Sequence, residues 1–447
     1  MNQYTKSVIQ LSLPMAITQL ITMGSGFLCM TMLAELGHEV LAASALIFSI
    51  SMSVLIISVS LLFSLSILIG HRYGERDYLG IGAILQQGWL LSLFISIPTL
   101  LIYWYIYPIL IFCGQDKVIA KIVETFFHAN IWRVIPFFFS VCNQQLCYGV
   151  HKQKIDMMAN MLGVIVLLIS SYILIFGKLG FPELGVVGFG YASALQGIFY
   201  FVFTTTCLYF IRDFKKFQLF QIRVHQNWSA LKQLFKIGWP ISLQISGEMF
   251  SFLVATTFIG WLGMNSLAAY QVIMQYQFLI VVPIFAISQA SGILIGQAYG
   301  AKKFADIKKL GTASILMVTM VSIMMGLTFI LFPKLLSTLY LDKNDTNYAE
   351  TIHLVILLFS IMAFSQFFDA IRNILTGSLR GLLDTRFPMI VGLCSIWLIG
   401  VPLGYLFAFH LHWGAVGITS GWMCGFLLGA IVLFYRWHSL SSKYQSL

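Results

Sequence analysis

Charge is what this sequence has least of. Only 9% of its 447 residues are Asp, Glu, Lys or Arg, where a soluble domain carries about a quarter. That deficit excludes a water-soluble enzyme, a nucleic-acid binder and a disordered scaffold. Acidic residues are scarcer still, sixteen in the whole chain. The seven cysteines include no Cys-x-x-Cys pair, and six of them sit inside apolar runs. They read as small packing residues rather than disulfides or metal ligands.

What is present is apolar. Hydrophobic residues make up 59% and aromatics 15%, in runs longer than the roughly 20 residues that span a bilayer. The expected fold class is an all-α polytopic membrane protein with twelve transmembrane helices. The apolar runs place these spans at 8–34, 40–70, 81–112, 122–150, 157–177, 184–211, 237–262, 266–296, 310–341, 351–378, 386–409 and 413–436. Several exceed 25 residues, which implies tilt or ends that project beyond the hydrocarbon. The first span begins a few residues from the start with no cleavable signal, so it is expected to serve as an uncleaved anchor.

The net charge of +10 is distributed by topology. Twenty basic residues, among them Arg72, Arg76, Lys152, Lys154, Arg212, Arg223, Lys302, Arg380 and Arg436, fall on one set of connections. Five fall on the other: Lys117, Lys121, Lys178, Lys334 and Lys343. Arg133 lies within a span. The positive-inside rule then sets both termini in the cytoplasm. Tyr103, Trp104, Tyr105 and Tyr107 fall at the outer end of the third span, where an aromatic belt is expected.

An internal repeat organises the chain. Residues 14–74 lie on 240–300 at a constant offset of 226, without a gap and with sixteen identities in 61 positions. Shared Leu and Ala mean little in apolar sequence; Pro14/Pro240, Gly37/Gly263, Gly70/Gly296 and Gly74/Gly300 in register mean more, because they mark kinks and close helix contacts. Six spans per half bring both halves into the membrane the same way up. Two six-helix bundles related by a parallel pseudo-two-fold repeat suit alternating access. The expected division is an N-terminal lobe at 1–215, a basic cytoplasmic connector at 216–236 and a C-terminal lobe at 237–447.

Fourteen of the sixteen acids can be assigned to loops or span ends; Glu248 and Asp369 cannot. Counted from the cytoplasmic ends of the seventh and tenth spans, they sit about 16 Å and about 14 Å deep at 1.5 Å per residue. A charged carboxylate there costs ~2.5–3.5 kcal/mol on the lenient scale unless a cavity, a partner or a proton relieves it. Desolvation raises a carboxyl pKa towards the physiological range, as a proton-coupled carrier requires, while two carboxylates at one depth also allow Na⁺. Arg372, three residues after Asp369 on the same helical face, favours a salt bridge instead. At the repeat offsets, Glu248 corresponds to Thr22 and Asp369 to Phe137, so the N-terminal half carries neither acid. Gln271, Gln275 and Gln277 on the eighth span, and Asn143, Gln144 and Gln145 on the fourth, are candidates to line a cavity. His410-x-His412 is too small a set for zinc. Gly421, Gly425 and Gly429 read as a close-packing stripe.

The chain resembles the multidrug and toxic compound extrusion (MATE) family, in its NorM-like bacterial branch. The resemblance rests on Leu262-Gly263 with Leu267-Ala268-Ala269-Tyr270-Gln271, on Ile295-Gly296-Gln297-Ala298-Tyr299-Gly300, and on Gly377-Ser378-Leu379-Arg380-Gly381 with Asp384-Thr385-Arg386. Gly177 to Gly185 adds a fourth stretch. It implies efflux of diverse, often cationic amphiphilic drugs and dyes in exchange for H⁺ or Na⁺, by a monomer in the lipid bilayer, with no other cofactor. It also implies that Glu248 and Asp369 are the cation-coupling carboxylates. The family's first-helix Asp falls on Cys29 and its fifth-helix Asn pair on Leu167 and Ser171, so an N-lobe cation site is not expected.

Two other classes compete. A lipid-linked oligosaccharide flippase of related fold requires cationic residues around a central cleft, and Arg133 is the one clearly intramembrane candidate. An intramembrane enzyme requires a cluster of His, Asp, Ser or metal ligands at one depth, which the spacing does not offer. The expectation is a carrier, not an enzyme.

Overall fold

A chain held in lipid must satisfy every backbone N–H and C=O internally, and a run of helices does this segment by segment. The computed structural model describes residues 3–221, 228–338 and 348–445, and helix dominates them. The long helices are α1 (Gln3–Ala34), α2 (His38–Leu62, continued by Ser64–Glu75), α3 (Tyr78–Trp104), α4 (Lys117–Gly149), α5 (Gln153–Phe176) and α6 (Gly185–Phe210). They continue as α7 (Trp228–Trp261), α8 (Met264–Gly300), α9 (Phe304–Leu331), α10 (Tyr348–Gly381), α11 (Arg386–His410) and α12 (Ala415–Gln445).

Eleven of these are long and apolar enough to cross a membrane. The twelfth, α4, is 33 residues long, and Arg133, Asn143, Gln144 and Gln145 make it more polar than its neighbours. Several helices outrun the expected spans: α7 begins nine residues earlier and α12 ends nine residues later. The third span is shorter than expected, because Tyr105 breaks it and a short helix, Ile106–Phe112, follows. Arg223, Lys343 and the expected end of the ninth span at 341 lie outside the described residues.

The sequence repeat is also a repeat of backbone conformation. Gly37 and Gly263 cap α2 and α8 with φ of 114° and 108°, a region closed to side chains by their Cβ. Arg76 and Lys302, at the same offset of 226, both turn left-handed after their helices, with φ of 60° and 57°. His151 and Leu383 do the same at 61° and 64°, at the offset of 232 that aligns Gly149 with Gly381.

The chain divides into two compact units, Pro14–Ser242 and Met1–Leu13 with Leu243–Leu447. Within the first, α4 packs on α2, α3 and α6, and α5 on α6; within the second, α10 packs on α8, α9 and α12, and α11 on α12. Each unit is thus the same bundle built around its fourth helix. The crossing that seats this helix repeats in detail. A Cβ at Gly149 would lie 2.5 Å from Ile69 Cγ2 and 3.3 Å from Ser66 O; one at Gly381 would meet the equivalent Ile295 and Gly292. The described start of the connector belongs to the first unit: Gln86 Nε2 donates to Leu219 O at 2.9 Å, and Trp89 packs on Phe220.

Tyr103 departs from the aromatic-belt expectation. It is buried inside the first unit with its ring 4.4 Å from that of Phe127, while Trp104 and Tyr105 are exposed. A single residue step, about 100° around the helix at 3.6 residues per turn, separates the buried Tyr103 from the exposed Trp104, and composition does not say which face is which.

Candidate functional site: a carboxylate pair bridged by a buried arginine

Helical spacing assembles the site before any helix meets another. On α7, Gln244 and Glu248 are four residues apart and share a face; on α10, Asp369, Arg372 and Asn373 do the same. Gln244 Nε2 donates to Glu248 Oε1 at 3.0 Å, and Asn373 Nδ2 to Asp369 Oδ2 at 3.0 Å.

Packing then fixes the two helices. Ser288 Oγ on α8 donates to Asn373 O at 2.7 Å, and Ser291 and Ser378 hydroxyls meet at 3.1 Å. Trp397 Nε1 on α11 donates to Gly247 O at 3.1 Å and so seats α7. With both helices held, Arg372 spans the gap. Its Nη1 donates to Glu248 Oε1 at 2.6 Å, while Nη2 and Nε reach Asp369 Oδ1 at 2.8 and 3.1 Å. Arg380 Nη2 donates to Gln244 Oε1 at 2.9 Å, placing a second guanidinium behind the Glu248 partner.

Arg372 is the largest fully buried side chain among the described residues. Its guanidinium lies 5.2 Å from the ring of Phe426, and a Cβ at Gly429 would lie 3.2 Å from its Cδ. The glycine stripe of α12 therefore has two uses. Gly421 and Gly425 admit the backbone of α11, as expected, whereas Gly429 makes room for Arg372. Side-chain exposure is graded: 17% for Glu248, 7% for Asp369 and 2% for Arg372. Ions so placed persist only when paired, because removing one partner leaves an uncompensated buried charge. What the arrangement offers chemically is a set of buried carboxylate oxygens already occupied by a cation that belongs to the protein.

Gln271 and Gln275 are not part of this cluster. Both are exposed on α8, and among the described residues no hydrogen bond joins either to the carboxylates. Asn143 is taken up structurally: it accepts from Trp89 Nε1 at 3.1 Å and donates to Thr205 Oγ1 at 3.0 Å.

In the first unit, the positions equivalent to the absent N-lobe acid do come together. Cys29 and Leu167 pack with Ala192 in an apolar cluster, and Ser171 is buried. Thr22, the counterpart of Glu248, accepts from Asn160 Nδ2 at 3.0 Å.

One buried acid was misassigned from sequence. Asp156, counted with the loop and span-end acids, is fully buried near the start of α5. It accepts from Tyr148 Oη at 2.7 Å, from Tyr200 Oη and from Gln144 Nε2. Those partners lie on α4 and α6, so only the assembled bundle reveals the burial. By contrast, Gln244 and Asn373 could be anticipated from their helical spacing to the two acids, whereas Arg380 reaches Gln244 only through the packing of α7 on α10. Among the described residues, no three of His, Cys, Asp and Glu group as metal ligands would.

The sequence profile of the MatE family matches residues 14–173 and 240–406, one segment in each repeat. A protein of Synechocystis sp., described as a probable multidrug resistance protein NorM, is 27% identical over 100% of this chain and 97% of its own length. One of Halalkalibacterium halodurans with the same description is 28% identical over 98% and 95%. Among solved structures, the crystal structure of a MATE in the bent conformation superposes with a TM-score of 0.91 at 19% identity, covering 100% of this chain and 97% of that one. The outward-facing conformation of a multidrug resistance MATE family transporter of the MOP superfamily gives 0.90 at 19%, covering 100% and 98%. These likenesses show the fold. The matched segments, starting at the two aligned prolines and together covering most of the sequence, show that the chain belongs to the MatE family.

Proposed function

We propose that the protein is a secondary active multidrug efflux antiporter, exporting cationic amphiphilic compounds in exchange for H⁺ or Na⁺ by alternating access. The observation that carries this reading is the Glu248–Arg372–Asp369 cluster, with Arg372 and Asp369 buried and Glu248 partly so, in a chain of this family. Relatives described as probable multidrug resistance proteins support the cargo class. The lobes are drawn at 1–215 and 237–447 with the connector at 216–236 between them. The protein works as a monomer in the bacterial inner membrane with both termini cytoplasmic. Coupling follows if ion and drug differ in affinity for the two states of the carrier. Desolvation of the carboxylates favours a proton, while two carboxylates near each other also allow Na⁺.

A lipid-linked oligosaccharide flippase is the weaker reading. Holding a pyrophosphate needs several uncommitted positive charges together; Arg372 is neutralised by two carboxylates, and Arg133, the cation singled out from sequence, lies 5.1 Å from the ring of Phe137.

The test is efflux of a fluorescent cationic dye from vesicles, under an imposed pH gradient and then under an imposed Na⁺ gradient. The wild type responds to one or both. The double variant Glu248→Gln/Asp369→Asn responds to neither, and undiminished gradient-driven efflux from it refutes the coupling role.

A further inference from the structure

The two carboxylates are not held alike. Asp369 and Arg372 sit one turn apart on α10, and two nitrogens of the guanidinium share Asp369 Oδ1. Asn373, on the same helix, takes Oδ2. This pair therefore stays together however α10 moves. Glu248 comes from α7, and Arg372 reaches it through one nitrogen on one oxygen. Glu248 is also the most exposed of the three, so an arriving ion meets it first. Arg372 has little room to retreat, with Phe426 and Gly429 of α12 behind it.

Charge balance points the same way. Two carboxylates face Arg372 and, through Gln244, Arg380. If a monovalent cation binds Glu248, the fully buried Arg372 remains neutralised by Asp369, and the charge left without a carboxylate is that of the less buried Arg380. If the ion instead bound Asp369, the guanidinium held beside that same oxygen would repel it.

We propose that Arg372 is a resident cation occupying the ion's place on Glu248. Glu248 alone exchanges it for the incoming ion, and Asp369 is the fixed counterion that keeps Arg372 within reach. Each exchange then breaks or remakes the tie between α7 and α10. The inference rests on the coupling role proposed above for this cluster and assigns its members unequal parts.

The experiment is dye efflux against the concentration of whichever ion drives the wild type. Glu248→Gln removes the exchanging group, so efflux no longer responds to that ion. Asp369→Asn leaves Arg372 to Glu248 alone, so the half-maximal ion concentration rises. Asp369→Asn/Arg372→Gln removes competitor and counterion together while conserving net charge. Its half-maximal concentration falls by about tenfold or more, the factor given by ~1.4 kcal/mol of competition removed.

An equal-partners site predicts that both Asp369 variants lose the ion response as Glu248→Gln does. That result, in protein that is monodisperse and binds dye like the wild type, overturns the proposal. If the double variant yields no folded protein, Asp369→Asn decides alone: a raised half-maximal concentration supports the proposal and a lost response overturns it. A full ion response from Glu248→Gln overturns the coupling role itself, and so separates the two failures.

Discussion

The α8–α10 crossing sets where Asp369 and Arg372 lie, and one methyl group tests it. At Gly381, a Cβ would stand 2.5 Å from Gly292 O and 3.1 Å from both Gly292 Cα and Ile295 Cβ. Backbone atoms cannot rotate away, so for Gly381→Ala the two helices must part by about 1 Å to restore ordinary van der Waals separation. Overpacking of this kind costs about 1–3 kcal/mol. Gly260 on α7 supplies the control, because a Cβ there has nothing within 4 Å and its backbone is helical. Gly260→Ala is expected to stabilise by ~0.5–1 kcal/mol through reduced freedom of the unfolded chain. The same chemical change thus has opposite signs at two positions in one unit. Thermal unfolding of detergent-purified protein reads this directly, with a thiol-reactive dye reporting the exposure of buried Cys29, Cys142 and Cys147. Equal stability of Gly381→Ala and the wild type, or shifts of the same sign in both variants, would refute the argument that this crossing has no spare volume.

Three further outcomes are expected. Asp156→Leu leaves the hydroxyls of Tyr148 and Tyr200 and the amide of Gln144 without their acceptor, at ~1–3 kcal/mol for each buried group left unpaired. Asp156→Asn keeps an acceptor and is milder, so the two are ranked by melting temperature. Lys152, hydrogen-bonded to Asp213 in the short helix Arg212–Lys215 after α6, holds that carboxyl below the usual range. A depressed pKa contributes stability above the ordinary aspartate range and loses it as pH falls through the lowered value. The melting-temperature difference between wild type and Asp213→Asn should therefore shrink on acidification, and a difference that grows refutes the clasp. Exposed Cys113, after α3, should react with a membrane-impermeant maleimide from outside intact cells, as both termini in the cytoplasm require; labelling only after permeabilisation reverses the topology.

The sequence by itself determined the helical class, the number of spans and the repeat. Each follows from local facts: apolar length, backbone self-sufficiency in lipid, and Pro and Gly in register. It also singled out Glu248, Asp369 and Arg372, because an ionised side chain in an apolar run is costly wherever the run finally packs. Tertiary structure decided which faces meet. It turned Tyr103 inward and buried Asp156 beneath tyrosines from two other helices. It left Gln271 and Gln275 exposed on α8, apart from the carboxylates. It also put Arg372 between two acids from different helices, with Gly429 of a third giving it space. The physical reason is that burial cost belongs to a residue, whereas pairing belongs to a geometry. The first is written along one strand of sequence; the second exists only once the helices have chosen their neighbours.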